Sequence, residues 1–104
     1  MNRNTDWSKA LEGVGCIVHC AGRAHVFKES STDPLSEFRA INRDGTLRLA
    51  EQAALFGVRR FVFLSSIGVM GNCTNGRPPF TENDVCRPEQ AYAISKWEAE
   101  EGLR

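Results

Sequence analysis

The sequence predicts an α/β fold built on a parallel sheet, and three observations carry that expectation. Residues 16–22 and 60–66 are short, nearly continuous apolar runs. A strand covered on both faces has this pattern, whereas a half-exposed antiparallel strand alternates apolar and polar residues. Between them lies a long stretch with apolar residues at helical spacing, so strand, helix and strand follow in order. A crossover of that length implies a right-handed βαβ unit and parallel strands.

Each element has its own local cause. Residues 7–13 predict a short helix in which Ser8 caps the start, Leu11 faces inward and Gly13 stops it. The first strand then runs over 16–22 and ends in Ala21-Gly22. Asp33-Pro34 marks the start of the long helix, with Asp33 as N-cap and Pro34 at the first helical position. Phe38, Ile41, Leu49, Ala53 and Phe56 recur at three- and four-residue steps as its buried stripe, and Gly57 follows as the C-terminal stop. Gly45 inside that helix carries a penalty of about 1 kcal/mol relative to Ala, which close approach of another backbone would explain. The second strand covers 60–66. A loop rich in Gly, Asn and Pro spans 68–88, a length that usually marks either function or disorder. Pro88-Glu89-Gln90 opens the last helix, which carries Tyr92, Ile94, Trp97, Ala99 and Leu103.

At 104 residues the chain is at most one domain. Thirteen basic and thirteen acidic residues leave no net charge, so no broad basic field points to nucleic acid or an anionic membrane surface. The apolar runs are far too short to span a membrane, and the opening residues do not lead into a signal peptide. A cytoplasmic protein is expected. Cys16, Cys20, Cys73 and Cys86 show no C-x-x-C pairing, which argues against a metal site. Cys16 and Cys20 lie in the strand expected to be buried, so reduced structural thiols fit better.

In an open parallel sheet, ligands bind beyond the carboxyl ends of the strands. One strand here ends Cys20-Ala21-Gly22 and the other Ser65-Ser66-Ile67-Gly68, small residues that let a cofactor approach the backbone. Tyr92 and Lys96 lie four apart, one turn apart on one helix face. A phenol with an ordinary pKa of about 10 is a poor base at neutral pH, and a nearby ammonium favours its phenolate. A Ser66 hydroxyl would hold the substrate oxygen while the phenolate exchanges its proton. Tyr-x-x-x-Lys also arises by chance in many helices, but here it follows a Ser-Ser strand end in a parallel-sheet pattern. His19 reads as a packed or hydrogen-bonded residue. Arg23 and His25 stand where a phosphate or sugar would lie, and Thr81-Glu82 reads as solvated loop.

With residues 18–22, 42–46, 61–66, 88–92 and 95–96 in this order and spacing, the chain resembles the extended short-chain dehydrogenase/reductases. Within them it is similar to the branch of UDP-glucose/UDP-N-acetylglucosamine 4-epimerases and nucleotide-sugar 4-reductases. The resemblance implies part of a Rossmann-like doubly wound parallel sheet that binds NAD or NADP, with NAD favoured. It implies Tyr92 as catalytic acid/base, and Lys96 as the residue that holds the nicotinamide ribose and favours the phenolate. Ser66 would bind the reacting sugar hydroxyl or keto oxygen, while Ala21, Gly22 and Ser65 pass close to the cofactor. Asn42 would support the active site, with Gly45 and Thr46 as packing positions. The implied partner is a nucleotide sugar, and full-length relatives are expected to be homodimers.

Two departures narrow the branch. Met70 precedes Gly71 where relatives often carry Tyr, which weakens assignment to the galactose epimerase itself. Ile67-Gly68-Val69 replaces the acidic pair of the 4,6-dehydratases, which argues against dehydration. The chain also lacks the family's G-x-x-G-x-x-G turn, whose amides hold a pyrophosphate. The expectation is therefore a partial dinucleotide-binding domain over 1–104, without the first βαβ unit and the C-terminal substrate domain, and inactive by itself. A truncated, non-catalytic relative acting as a binding or interaction module is the alternative.

Overall fold

The computed structural model describes residues 1–25 and 32–104. Helix α1 (Ser8–Leu11) leads into strand β1 (Cys16–His19). The long helix comprises α2 (Pro34–Phe38), a π-helical segment (Arg39–Gly45) and α3 (Thr46–Leu55). Strand β2 (Arg60–Phe63), a 3₁₀ turn (Ile67–Val69) and α4 (Ala91–Leu103) complete the order. The strands pair in parallel, Cys16 opposite Arg60 and His19 opposite Phe63. Arg59 and Leu64 extend the ladder by donating to the carbonyls of Gly15 and His19, both at 3.0 Å.

The ends of the long helix follow their sequence signals. The Asp33 carboxylate accepts from the Ser36 amide at 3.2 Å, and Pro34 takes the position that needs no donor. At the other end Gly57, at φ +74°, lets its own amide reach the Ala54 carbonyl and that of Val58 reach Ala53. These bonds satisfy carbonyls that the last turn would leave without partners. Gly45 is explained by close approach: a Cβ there would lie 3.0 Å from Met1 Cγ and 3.5 Å from the Asn2 Cα.

Several expectations need correction. Trp7, not Ser8, sits at the cap position of α1, and Asp6 accepts from both the Ser8 amide and hydroxyl instead. Phe56 is exposed, since the helix has already ended at Leu55. The buried positions of the long helix include Asn42, Thr46 and Gln52 beside Phe38, Leu49 and Ala53. Gln52 explains its own burial by accepting from the Trp7 amide and donating to the Thr5 carbonyl, each at 2.8 Å, which docks the N-terminal segment.

The strands were expected to be covered on both faces, but only one face is covered among the described residues. Leu11, Leu49 and Ala53 form the core there, with Trp7, Ile17, Val58 and Phe61 packed against them. On the other face Val18, Val62 and Leu64 are exposed, and so are Cys16 and Cys20. The near-continuous apolar runs suit strands covered on both faces, and the described residues cover one of them. No helix of the described chain is long and apolar enough to cross a membrane.

The 68–88 loop is braced by bonds within itself. The Asp84 carboxylate accepts from Arg77 at 2.6 Å and from the Thr81 amide at 3.1 Å, and the Arg87 amide returns to the Val69 carbonyl at 2.9 Å. Helix α4 then packs against α2, the π-helical segment and α3.

Candidate functional site

The site is assembled where the ends of both strands meet the first turns of α4. Asn42, fully buried in the π-helical segment, holds the centre. Its Oδ1 accepts from the Arg23 amide at 2.7 Å, and its Nδ2 donates to the Arg23 carbonyl at 2.9 Å. The same Nδ2 donates to Ser95 Oγ at 3.0 Å. The Ser95 hydroxyl in turn donates to the Tyr92 carbonyl at 2.7 Å. One amide side chain therefore fixes the turn after β1 against the helix that carries Tyr92 and Lys96.

Around that clamp the charges are desolvated. Lys96 is only 3% exposed, and its ammonium lies 4.1 Å from the centre of the Phe63 ring. Burial pushes the Lys96 pKa down; the acidic Glu100 and the Cys20 thiol partly offset this. A Cβ on Gly22 would sit 3.9 Å from that Nζ and 3.2 Å from Asn42 Oδ1. Gly22 is thus a narrow cradle, where even a Cβ would crowd Asn42 beside the ammonium, and Ala21 and Gly22 are both exposed. His19 is buried, its Nε2 2.8 Å from the Thr46 hydroxyl and its ring stacked on Phe63. Burial, and then the Lys96 charge, lower its pKa, so it stays neutral at neutral pH.

Tyr92 is half-buried, its ring edge-on to Phe38 with centroids 5.9 Å apart. The second strand approaches from the other side. Ser66 caps the 3₁₀ turn, its Oγ accepting from the Gly68 amide at 3.2 Å. A Cβ on Gly68 would touch Ala93, next to Tyr92, at 3.4 Å. Because Ser66 accepts from Gly68, its own O–H remains free to donate to a ligand. Ser66 also lines a groove of about 450 Å3 with Met70, Phe80, Glu82 and Cys86.

The other predicted residues fall into place unevenly. The Ser65 hydroxyl is buried with no hydrogen-bond partner among the described residues. It lines a larger groove of about 610 Å3 whose walls include Phe63 and Leu103 but neither Tyr92 nor Lys96. Arg23 is paired with Glu37 at 2.9 Å, His25 is exposed, and Thr81 and Glu82 are exposed loop residues. Sequence reasoning missed Ser95 and Phe63. For Ser95 a signal existed, because Ala91, Ser95 and Ala99 repeat at four-residue steps and mark a face made for close approach.

An ion network braces the same helix pair. Glu98 accepts from Arg39 at 2.8 Å and from Arg43 at 3.2 Å. The Arg39 hydrogen bond is the main reason the Glu98 carboxyl stays below its ordinary range. A depressed carboxylate contributes stability above its unfolded pKa and loses it as pH falls through the folded one. Wild type should therefore melt above Glu98→Gln at neutral pH, with the two midpoints converging below about pH 4. A gap that persists in acid would show that Glu98 acts through packing rather than charge.

Compared with known proteins, residues 1–104 match in full the profile described as the NAD dependent epimerase/dehydratase family. The chain belongs to that family. A UDP-glucose 4-epimerase from Vibrio cholerae is 44% identical over 103 residues, covering 99% of this chain and 31% of that protein. A short-chain dehydrogenase/reductase superfamily protein from Agrobacterium tumefaciens, solved with bound NAD, superposes with a TM-score of 0.71 at 33% identity. It covers 92% of this chain, which spans 28% of it. RMD from Pseudomonas aeruginosa, complexed with NADPH, gives a TM-score of 0.70 at 32% identity, over 84% of this chain and 29% of its own. The chain thus spans about a third of the length of these family members, and its two parallel strands are part of their Rossmann-like sheet.

Proposed function

We propose that the protein carrying this chain is an NAD(P)-dependent epimerase or oxidoreductase that works at C4 of a nucleotide-linked sugar. The observation that carries this reading is the placement of Tyr92 and Lys96 on successive turns of α4, clamped through Ser95 and Asn42 to the turn after β1. Gly22 keeps the chain free of a side chain beside Asn42 and the Lys96 ammonium, where a Cβ would lie 3.2 Å and 3.9 Å from them. Both suit a dinucleotide: the glycine admits a flat group against the backbone, and the ammonium offers donors to ribose hydroxyls. The V. cholerae relative is a UDP-glucose epimerase, and the two structural relatives hold NAD and NADPH.

When bound, the nicotinamide supplies the hydride chemistry. The chain's residues handle the proton and the oxygen. Tyr92 would take the proton from the sugar hydroxyl on oxidation and return it to the sugar oxygen on reduction. Ser66 donates its free O–H to the same sugar oxygen and holds it toward Tyr92. Lys96, kept from water on the Phe63 ring, would supply a fixed positive charge one turn from Tyr92. Ala21, Gly22 and Ser65 are the small residues at the strand ends that would pass close to a bound cofactor. The same residues would serve either a 4-epimerisation or a 4-keto reduction, because both need the same proton moved at the same oxygen.

The test is product analysis of the complete protein with a panel of UDP-sugars and either dinucleotide. A C4 epimer by NMR identifies the epimerase. Net oxidation of the reduced cofactor with a 4-keto sugar identifies the reductase. Dinucleotide binding with no turnover across the panel would favour the non-catalytic alternative.

A further inference from the structure

Ser95 is a fully buried hydroxyl on α4, between the two residues assigned to catalysis and assigned no chemistry itself. A helical serine often bonds back to a carbonyl three or four residues earlier, and by itself that is a local habit. Two further observations separate Ser95 from that case. First, its Oγ is engaged on both sides, accepting from Asn42 Nδ2 at 3.0 Å and donating to the Tyr92 carbonyl at 2.7 Å. Those partners lie 53 positions away and one turn away. Second, α4 begins without a side-chain cap, with Gln90 at the cap position making no such bond. That first turn has no side-chain cap on its amides, and the Ser95 hydroxyl bonds its Tyr92 carbonyl instead.

Resting on the catalytic reading above, we infer that Ser95 is a positioning residue for the reaction. It joins the turn after β1, through Asn42, to the first turn of α4, and so sets Tyr92 relative to the Gly22 cradle. Asn42 keeps its two bonds to the Arg23 backbone whether or not Ser95 is present. Removal of the Ser95 hydroxyl thus leaves the β1 turn in place and loosens only the first turn of α4, whose later turns Glu98 still ties to Arg39 and Arg43. Misplacement of a reacting group by an ångström or less lowers turnover without removing any group that touches substrate.

Four variants of the complete protein test this: Ser95→Ala, Ser95→Thr, Asn42→Ala and the Ser95→Ala/Asn42→Ala double. Ser95→Ala should lower kcat about tenfold while the dinucleotide Kd and the sugar KM stay within about twofold of wild type. Ser95→Thr, which retains the hydroxyl, should recover most of that loss. If its extra methyl prevents folding, the double variant decides, because groups acting as one relay are non-additive. Its kcat should fall no further than that of Asn42→Ala alone. A wild-type kcat in Ser95→Ala overturns the role, and so do losses that multiply in the double variant. Tyr92→Phe, assayed alongside, separates this from failure of the function itself. If that variant turns over normally, Tyr92 is not the acid/base and there is no catalytic phenol for Ser95 to position.

Discussion

Tyr92→Phe should reduce turnover by about 10²–10⁴-fold while the protein still folds and binds its dinucleotide. The substitution removes one oxygen and keeps the ring, so the edge contact with Phe38 survives. Neither Asn42 nor Ser95 bonds the Tyr92 hydroxyl; the contact from Ser95 is to the backbone carbonyl, which phenylalanine also has. Nothing that holds α4 in place is disturbed. Thermal midpoint and dinucleotide affinity should thus stay close to wild type while kcat collapses. Equal turnover in the two proteins would remove Tyr92 from the chemistry, and a matching loss of dinucleotide binding would make its role one of binding.

Lys96→Met should have an effect of similar size on activity and the opposite sign on stability. The ammonium is buried on Phe63, and burial lowers its pKa. A group with that shift binds protons more readily in the unfolded chain than in the folded one, so stability rises with pH between the folded and unfolded values. Below that window the fold carries the burden of a desolvated charge. Methionine has nearly the same length, fills the same space and keeps a favourable contact with the Phe63 ring through sulfur. The variant should therefore melt above wild type at pH 7. The gap should narrow as pH rises toward the ordinary lysine value of about 10. Turnover should fall by about 10²–10³-fold, the scale for loss of one fixed electrostatic group, with weaker dinucleotide binding. Lower stability in Lys96→Met would mean that the ammonium is satisfied by its surroundings and that the site stores no such burden.

How much of this was legible beforehand depends on the range of the interactions. The caps of the long helix were readable because Asp33, Pro34 and Gly57 act within a few residues of themselves. The parallel pairing of residues 16–19 with 60–63 followed from the apolar runs and the length of the helix between them. Ser66, Tyr92 and Lys96 are proposed from spacing and from resemblance to a family to which the chain belongs. Phe56 was misplaced because helical periodicity cannot tell the last core position from the first residue past the helix end. Cys16 and Cys20 were misplaced because continuous apolarity states that a strand needs two covering layers, not that both are at hand.

The sequence by itself determined the order of the main helices and strands and the parallel pairing, since these are written in local periodicity; the π-helical turn inside the long helix was not. Tertiary structure alone decided what those residues touch. Asn42 meets Arg23 and Ser95 across 19 and 53 positions, and the Lys96 ammonium meets Phe63 across 33. Such contacts arise when a sheet edge and two helices close on a shared volume, and the polar groups trapped there must find partners within it. Local pattern carries no record of which groups will be trapped together, so the clamp behind Tyr92 became visible only in three dimensions.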